Sequence, residues 1–150
     1  MLGAKRLKKL LFKVFGLRVN RFHPLVVITG EPIIASDVYI GLFSEINAKG
    51  VNVSIQRGCD IASFVAINAA DSHKLCIGLN DKIERKDIFI EHHVFIGSHS
   101  VIKGGARIGH HSVIAAGTVV DGINIRPYSL VYGNPMKVRE GYYENKNSSQ

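Results

Sequence analysis

The sequence predicts a parallel β-helix, and three observations predict it. Isoleucine or valine recurs every sixth residue, at Ile90, Ile96, Ile102, Ile108, Ile114 and Val120. A small or β-branched residue stands four places after each of the first five: Val94, Ser100, Ala106, Ser112 and Thr118. A short residue often follows the isoleucine directly, as in Ile96-Gly97, Ile108-Gly109 and Ile114-Ala115. A helix repeats near 3.6 residues and a half-buried strand at 2, so neither explains a period of six. Short strands and tight turns stacked coil upon coil do explain it.

Residues 4–17 read as an amphipathic helix. Leu7, Leu10, Leu11, Val14 and Phe15 fall at helical spacing, with Lys5, Arg6, Lys8, Lys9 and Lys13 among them. This helix is expected to cover the open end of the β-helix, since solenoids need caps. An interfacial membrane contact through residues 4–17 is the alternative use of the same face. The repeats start near Ile34 and keep step through Ile40 and Ile46. The frame resumes at Ile55, Ile61 and Ile67, and the turn-forming segment 48–52 absorbs the three extra residues. Residues 71–87 (DSHKLCIGLNDKIERKD) are polar and out of register, and read as a loop thrown out from the coil. The frame returns at Ile90. Past Val120, RPYSLVYGNP is turn-rich and ENKNSSQ reads as disordered. The chain is thus one domain, residues 1–150, with an N-terminal helix at 1–20, a β-helix at 34–126 and a tail at 127–150.

Each hexad isoleucine is expected to point into a narrow prism and stack on its counterparts above and below. Full burial of such a side chain contributes about 1.5–3 kcal/mol. Backbone groups pair between coils, so the core needs no buried polar side chains, and the small residue at the fifth place of each hexad lets the chain turn the corner without crowding the interior.

Composition excludes several classes. No stretch approaches the roughly 20 apolar residues of a membrane span. The apolar run Leu10–Leu17 is short, is broken by Lys13 and lacks a small-residue cleavage site, so the chain reads as cytoplasmic. Cys59 and Cys76 have no zinc or redox spacing and read as buried free thiols. The net charge of +7 is crowded into the first turns, without the aromatic-plus-basic platforms of nucleic-acid modules. No nucleic-acid partner is expected. His92 and His110 are 18 residues apart, as are His93 and His111. That is one coil, so each pair should stack about 4.8 Å apart at one corner. They read as exposed corner histidines, and no metal is expected.

The run IEHHVFIGSHSVIKGGARIGHHSVIAAGTVV followed by PYSLVYGNPMKV resembles the C-terminal half of bacterial hexapeptide-repeat acetyltransferases, in the branch of the maltose, galactoside and polysaccharide O-acetyltransferases. The resemblance spans roughly residues 34–139. It implies an all-β fold, the left-handed parallel β-helix, although ordinary parallel crossovers are right-handed. It implies a homotrimer that binds acetyl-CoA between subunits, beside a carbohydrate acceptor. His73 stands where the family's catalytic histidine opens the loop. A neutral imidazole there can take the proton of an acceptor hydroxyl, which attacks the thioester directly. The backbone N–H of Ser98 is implied as the oxyanion donor. Asp71, two residues earlier, is a candidate to orient His73. Asn47 resembles an asparagine of the acceptor pocket, and Arg85 in the loop is assigned with it. For CoA, the resemblance implies Gly97, Ala116, Gly117, Tyr132, Gly133 and Asn134. Lys103, Arg126, Lys137 and Arg139 are the phosphate candidates.

The chain departs from the pattern at Phe95, where the family has tryptophan, at Asp121-Gly122 and at Met136. The helical region that precedes the repeats in maltose-type enzymes is missing, which points to a surface polysaccharide or its lipid-linked or nucleotide precursor as acceptor. Ser98 and Lys103 stand where γ-class carbonic anhydrases of this fold place zinc histidines, which sets that reading aside. The expected activity is acetyl-CoA-dependent O-acetylation of a sugar, in the cytoplasm or at the inner face of the membrane. Sugar-amine N-acetylation and a non-catalytic scaffold are the alternatives.

Overall fold

The computed structural model describes residues 2–14 and 21–145. Strands are numbered in chain order and build a three-walled parallel solenoid of about five turns. Wall one stacks β1 (Val27–Gly30), β4 (Glu45–Ala48), β7 (Ala66–Asn68), β12 (Val101–Lys103) and β15 (Val119–Val120). Wall two stacks β2 (Ile33–Ile34), β5 (Val53–Ile55), β10 (Ile88–Ile90), β13 (Arg107–Ile108) and β16 (Asn124–Ile125). Wall three stacks β3 (Tyr39–Ile40), β6 (Asp60–Ile61), β11 (Phe95–Ile96), β14 (Val113–Ile114) and β17 (Leu130–Tyr132), and ends in the antiparallel β18 (Lys137–Arg139).

The core is three columns of aliphatic rungs. Wall one aligns Ile28, Ile46, Ile67, Ile102 and Val120. Wall two aligns Ile34, Ile55, Ile90, Ile108 and Ile125. Wall three aligns Ile40, Ile61, Ile96, Ile114 and Val131. Ile46, Ile96, Ile102 and Ile114 have no measurable exposure. The coils therefore begin one wall earlier and end one wall later than the span 34–126 read from the period. The last strand escaped the pattern because Val120 and Ile125 are five residues apart, whereas Ile28 keeps the six-residue step to Ile34.

The corners hold the small residues of the hexads. Ser44, Ser100, Ser112, Thr118 and Ser129 are buried. The Ser100 hydroxyl donates to the Ala115 carbonyl (3.0 Å), and that of Ser112 donates to Arg126 (3.2 Å). A small polar side chain fits where the chain bends, and it satisfies a carbonyl that the turn leaves unpaired. Cys59 is buried as expected, and burial pushes its thiol pKa up. Cys76 is exposed, contrary to expectation.

Helix α1 (Leu2–Val14) forms as expected, and Phe15 lies outside the described residues. Leu7, Leu10 and Val14 are more than half exposed and Leu11 is 41% exposed. The rest of the described chain thus leaves this face uncovered. Phe22, not the helix leucines, packs against the core at that end. None of the described helices is long and apolar enough to cross a membrane.

Candidate active site

Three corners join the walls. The first corner (wall one to wall two) carries the insertion. Residues expected as a bare loop build a small hairpin: β8 (Ala70–Asp71) pairs antiparallel with β9 (Glu84–Arg85), with α2 (His73–Cys76) between them. The base is pinned to the coils. The Lys86 N–H donates to the Ala69 carbonyl (3.0 Å). Asp87 accepts from the backbone and side-chain nitrogens of Asn52 (3.0 and 3.2 Å). Arg85 donates to the Lys49 carbonyl (2.7 Å), and Lys74 pairs with Glu84 (2.8 Å). The Lys74 hydrogen bond holds the Glu84 carboxyl below its ordinary pKa and raises that of Lys74.

Asp71 and His73 form a contact pair. Asp71 Oδ1 accepts from the His73 backbone N–H (3.0 Å) and lies 2.5 Å from His73 Nδ1. These bonds, the backbone one first, hold the Asp71 carboxyl below its ordinary range. An ionised carboxylate only accepts, so the ring contact puts the proton on Nδ1 and leaves the Nε2 lone pair outward. Both side chains are about half exposed. They line a groove of about 230 Å³ with Glu84, Lys86, Lys103 and Gly104. Lys86 and Glu84 escaped the sequence reading. The charge density of ERKD in an out-of-frame segment was the available signal.

Ser98 lies at the third corner (wall three to wall one), at the other end of wall one from the hairpin. A single chain does not bring Ser98 and His73 together. Gly97, Ala116 and Gly117 occupy the same third corner. A Cβ on Gly97 would sit 2.5 Å from the Ala116 nitrogen, so only glycine lets the coils approach there. The next coil continues the column, with Val119 N–H donating to Gly133 O. Tyr132 ends β17, and Gly133 and Asn134 open the turn into β18. Ala116, Gly117, Gly133 and Asn134 are exposed along this ridge, while Gly97 is buried beneath the next coil.

The phosphate candidates do not converge. Lys103 is at the first corner, paired with Asp121 (2.8 Å), and that bond raises its pKa. Arg126 is at the second corner (wall two to wall three), 3.3 Å from Glu140. Lys137 is exposed on β18, and Arg139 lies over the Tyr132 and Tyr142 rings. Asn47 belongs to an outward ladder on wall one. Its Oδ1 accepts from Thr29 Oγ1 (3.1 Å), and its Nδ2 donates to Asn68 Oδ1 (3.3 Å). Arg85 is committed to the Lys49 carbonyl, where it clamps the hairpin to the preceding coil.

Residues 87–122 match the family described as bacterial transferase hexapeptide (six repeats). The carnitine operon protein CaiE of Escherichia coli (strain K12) is 28% identical over 120 residues, covering 77% of this chain and 61% of CaiE. The chain therefore spans about three fifths of the length of the curated relatives it matches. Among solved structures, the N-acyltransferase AntD from Bacillus cereus, in complex with dTDP and 3-hydroxybutyryl-CoA, superposes with a TM-score of 0.69 at 18% identity, over 83% of this chain and 72% of AntD. That likeness is one of fold. The polySia-specific acetyltransferase NeuO is 26% identical with a TM-score of 0.57, over 77% of this chain and 64% of NeuO. A galactoside acetyltransferase in complex with coenzyme A is 28% identical with a TM-score of 0.56, over 81% of this chain and 66% of that enzyme. Residues 87–122 thus carry the bacterial transferase hexapeptide repeat, in a chain with the acyltransferase fold of that repeat class.

Proposed function

We propose that this protein transfers the acetyl group of acetyl-CoA to a sugar hydroxyl, with His73 as general base. The observation that carries the reading is the Asp71–His73 pair at 2.5 Å on the rim of a groove. The likeness to a galactoside acetyltransferase with coenzyme A and to NeuO supports the donor and the acceptor class. In the reaction, Nε2 of His73 takes the hydroxyl proton as the oxygen attacks the thioester carbonyl. The carbonyl oxygen gains the charge, which a backbone N–H such as that of Ser98 stabilises. The C–S bond then breaks, and the imidazolium returns its proton to the departing thiolate. Asp71 fixes the tautomer and steadies the transient imidazolium.

The reading requires more than one chain. His73 and Ser98 lie at opposite ends of wall one, so a second copy must bring its third-corner ridge against the first corner. A homotrimer meets that need three times over. The pantetheine arm would run along Gly97, Ala116, Gly117 and Gly133 of the neighbour, and Lys137 and Arg139 would face its phosphates. Asn47 and Arg85 stand on the acceptor side of the hairpin, toward a surface polysaccharide or its precursor. The uncovered leucines and surrounding cations of α1 would rest on the inner face of the membrane.

Thiol release from acetyl-CoA with a glycan panel tests the proposal. His73→Ala should lower kcat by about 10²–10⁴-fold, the usual contribution of a positioned base. Asp71→Asn should lower it less and leave the KM for acetyl-CoA unchanged. Coenzyme A binding together with full turnover in His73→Ala would reject the assignment.

A further inference from the structure

We propose that His92, His110 and His111 form a binding site for a divalent transition-metal ion at the second corner, where it would tie two successive coils together. The fold places the residues there. His92 and His110 are 18 residues apart, which sets them at the same turn on consecutive coils. Their rings stack with centroids 4.8 Å apart and planes 17° apart. The His111 ring stands edge-on to both, at 88° and 89°. Each ring offers one nitrogen, and the three nitrogens lie within 4.8 Å of one another. His110 Nδ1 and His111 Nδ1 are already 3.0 Å apart. Tetrahedral zinc with Zn–N bonds of about 2.0–2.1 Å sets neighbouring nitrogens roughly 3.3 Å apart. Small side-chain rotations therefore suffice, with no backbone change.

The rings are positioned by their surroundings. Glu91 Oε2 accepts from the His110 backbone N–H (2.8 Å). Gln56 Oε1 accepts from the His92 backbone N–H (3.1 Å). Tyr128 stacks on His111, with centroids 5.0 Å apart. All three histidines are half-buried, which corrects the expectation of exposed corner rings. Among the described residues, this is the group of metal-ligating side chains whose donor atoms converge. Three imidazoles with a fourth position open to solvent suit Zn²⁺, Co²⁺, Ni²⁺ or Cu²⁺, and not the oxygen-seeking Mg²⁺ or Ca²⁺. His93 lies beside the cluster, its ring centroid 5.1 Å from that of His111, but is not one of the converging donors.

The site is separate from the proposed acetyl transfer, since His73 is at another corner. The test uses the full chain purified without a polyhistidine tag and stripped with chelator. Zinc titration should show one equivalent bound per chain at micromolar free Zn²⁺, with a rise in Tm. Co²⁺ should give the visible d–d bands of a four- or five-coordinate nitrogen site. His92→Gln, His110→Gln and His111→Asn should each weaken binding by about tenfold or more, a loss that even supporting groups of metal sites can cause. Asparagine is chosen at 111 because His111 has a φ of 55°, which asparagine tolerates. His93→Asn should bind zinc as the parent does. As a measurement independent of any variant, the imidazole NMR signals of His92, His110 and His111 should shift together on zinc addition while those of His73 stay in place. Lack of stoichiometric binding, or binding that survives all three ligand substitutions, would overturn the site.

Discussion

The first corner is turned in two very different ways, one coil apart. Between Ile102 and Ile108 the chain bends in a few residues, through Gly104 and Gly105. Between Ile67 and Ile90 it makes the same bend with a hairpin, a helical turn and most of the charged groups of the groove. Yet Ile67 still pairs with Ile102, and Ile90 with Ile108. The longer path costs the register nothing, because Asp87, Lys86 and Arg85 fasten its base to the neighbouring coils. The walls decide the fold. The corners are where residues can be added, and therefore where reactivity can be placed.

That contrast can be broken most severely inside a wall. Ile108→Asp buries a charge in a column that offers it no partner, and should leave no cooperative thermal transition by circular dichroism. Ile102→Ala keeps the fold but opens a cavity, and should cost about 2–5 kcal/mol in urea unfolding. Replacing residues 72–85 with a short glycine turn like that at Gly104-Gly105 sharpens the comparison from the other side. The solenoid should keep its far-UV spectrum and nearly all of its Tm, while the proposed acetyl transfer is lost. A large loss of Tm would show that the hairpin supports the walls.

Acid should loosen the hairpin base before it reaches the walls. The Asn52 N–H, followed by its side chain, holds the folded Asp87 carboxyl below its ordinary value of 3.8. A folded pKa below the unfolded one means that the stabilisation is complete above about pH 4 and fades as pH falls through the folded value. Asp71 and Glu84 are shifted the same way. The Tm should therefore decline below about pH 4, with a shallower decline there in Asp87→Asn. The smallest effect belongs to Lys74→Ala. Its pair with Glu84 is solvent-exposed, and the Tm should not move measurably.

Much of the fold was legible because one side chain per hexad carries it. Ile90 to Val120 announce three walls by spacing alone. Leu130–Tyr132 was missed because the five-residue step from Val120 to Ile125 breaks the count, whereas Val27–Gly30 lies in step, with Ile28 six residues before Ile34. The hydroxyls of Ser44, Ser100, Ser112 and Thr118 each donate to a carbonyl near a bend, which spacing does not state. The site was legible only in part. His73 and Asp71 stand two residues apart, so their contact is a short-range matter that a turn can arrange. Where Ser98 and the CoA candidates lie depends on which corner each residue reaches, which spacing does not state. The histidine cluster was visible as an interval of 18 residues. Its convergence rests on corner backbone held by Gln56 and Glu91 and on the Tyr128 ring against His111, all contacts between different coils.

The return strand β18 has a consequence beyond finishing wall three. A stack of parallel rungs ends on unpaired edge groups, and another copy settling end-on could continue the ladder into a filament. Here the last rung is met by a segment running the opposite way, Leu130 to Tyr132 against Lys137 to Arg139. Val138 packs toward the interior while Lys137 and Arg139 are exposed as cations. An incoming coil would find the wrong polarity and a repelling charge there, so β18 blocks end-on growth along wall three.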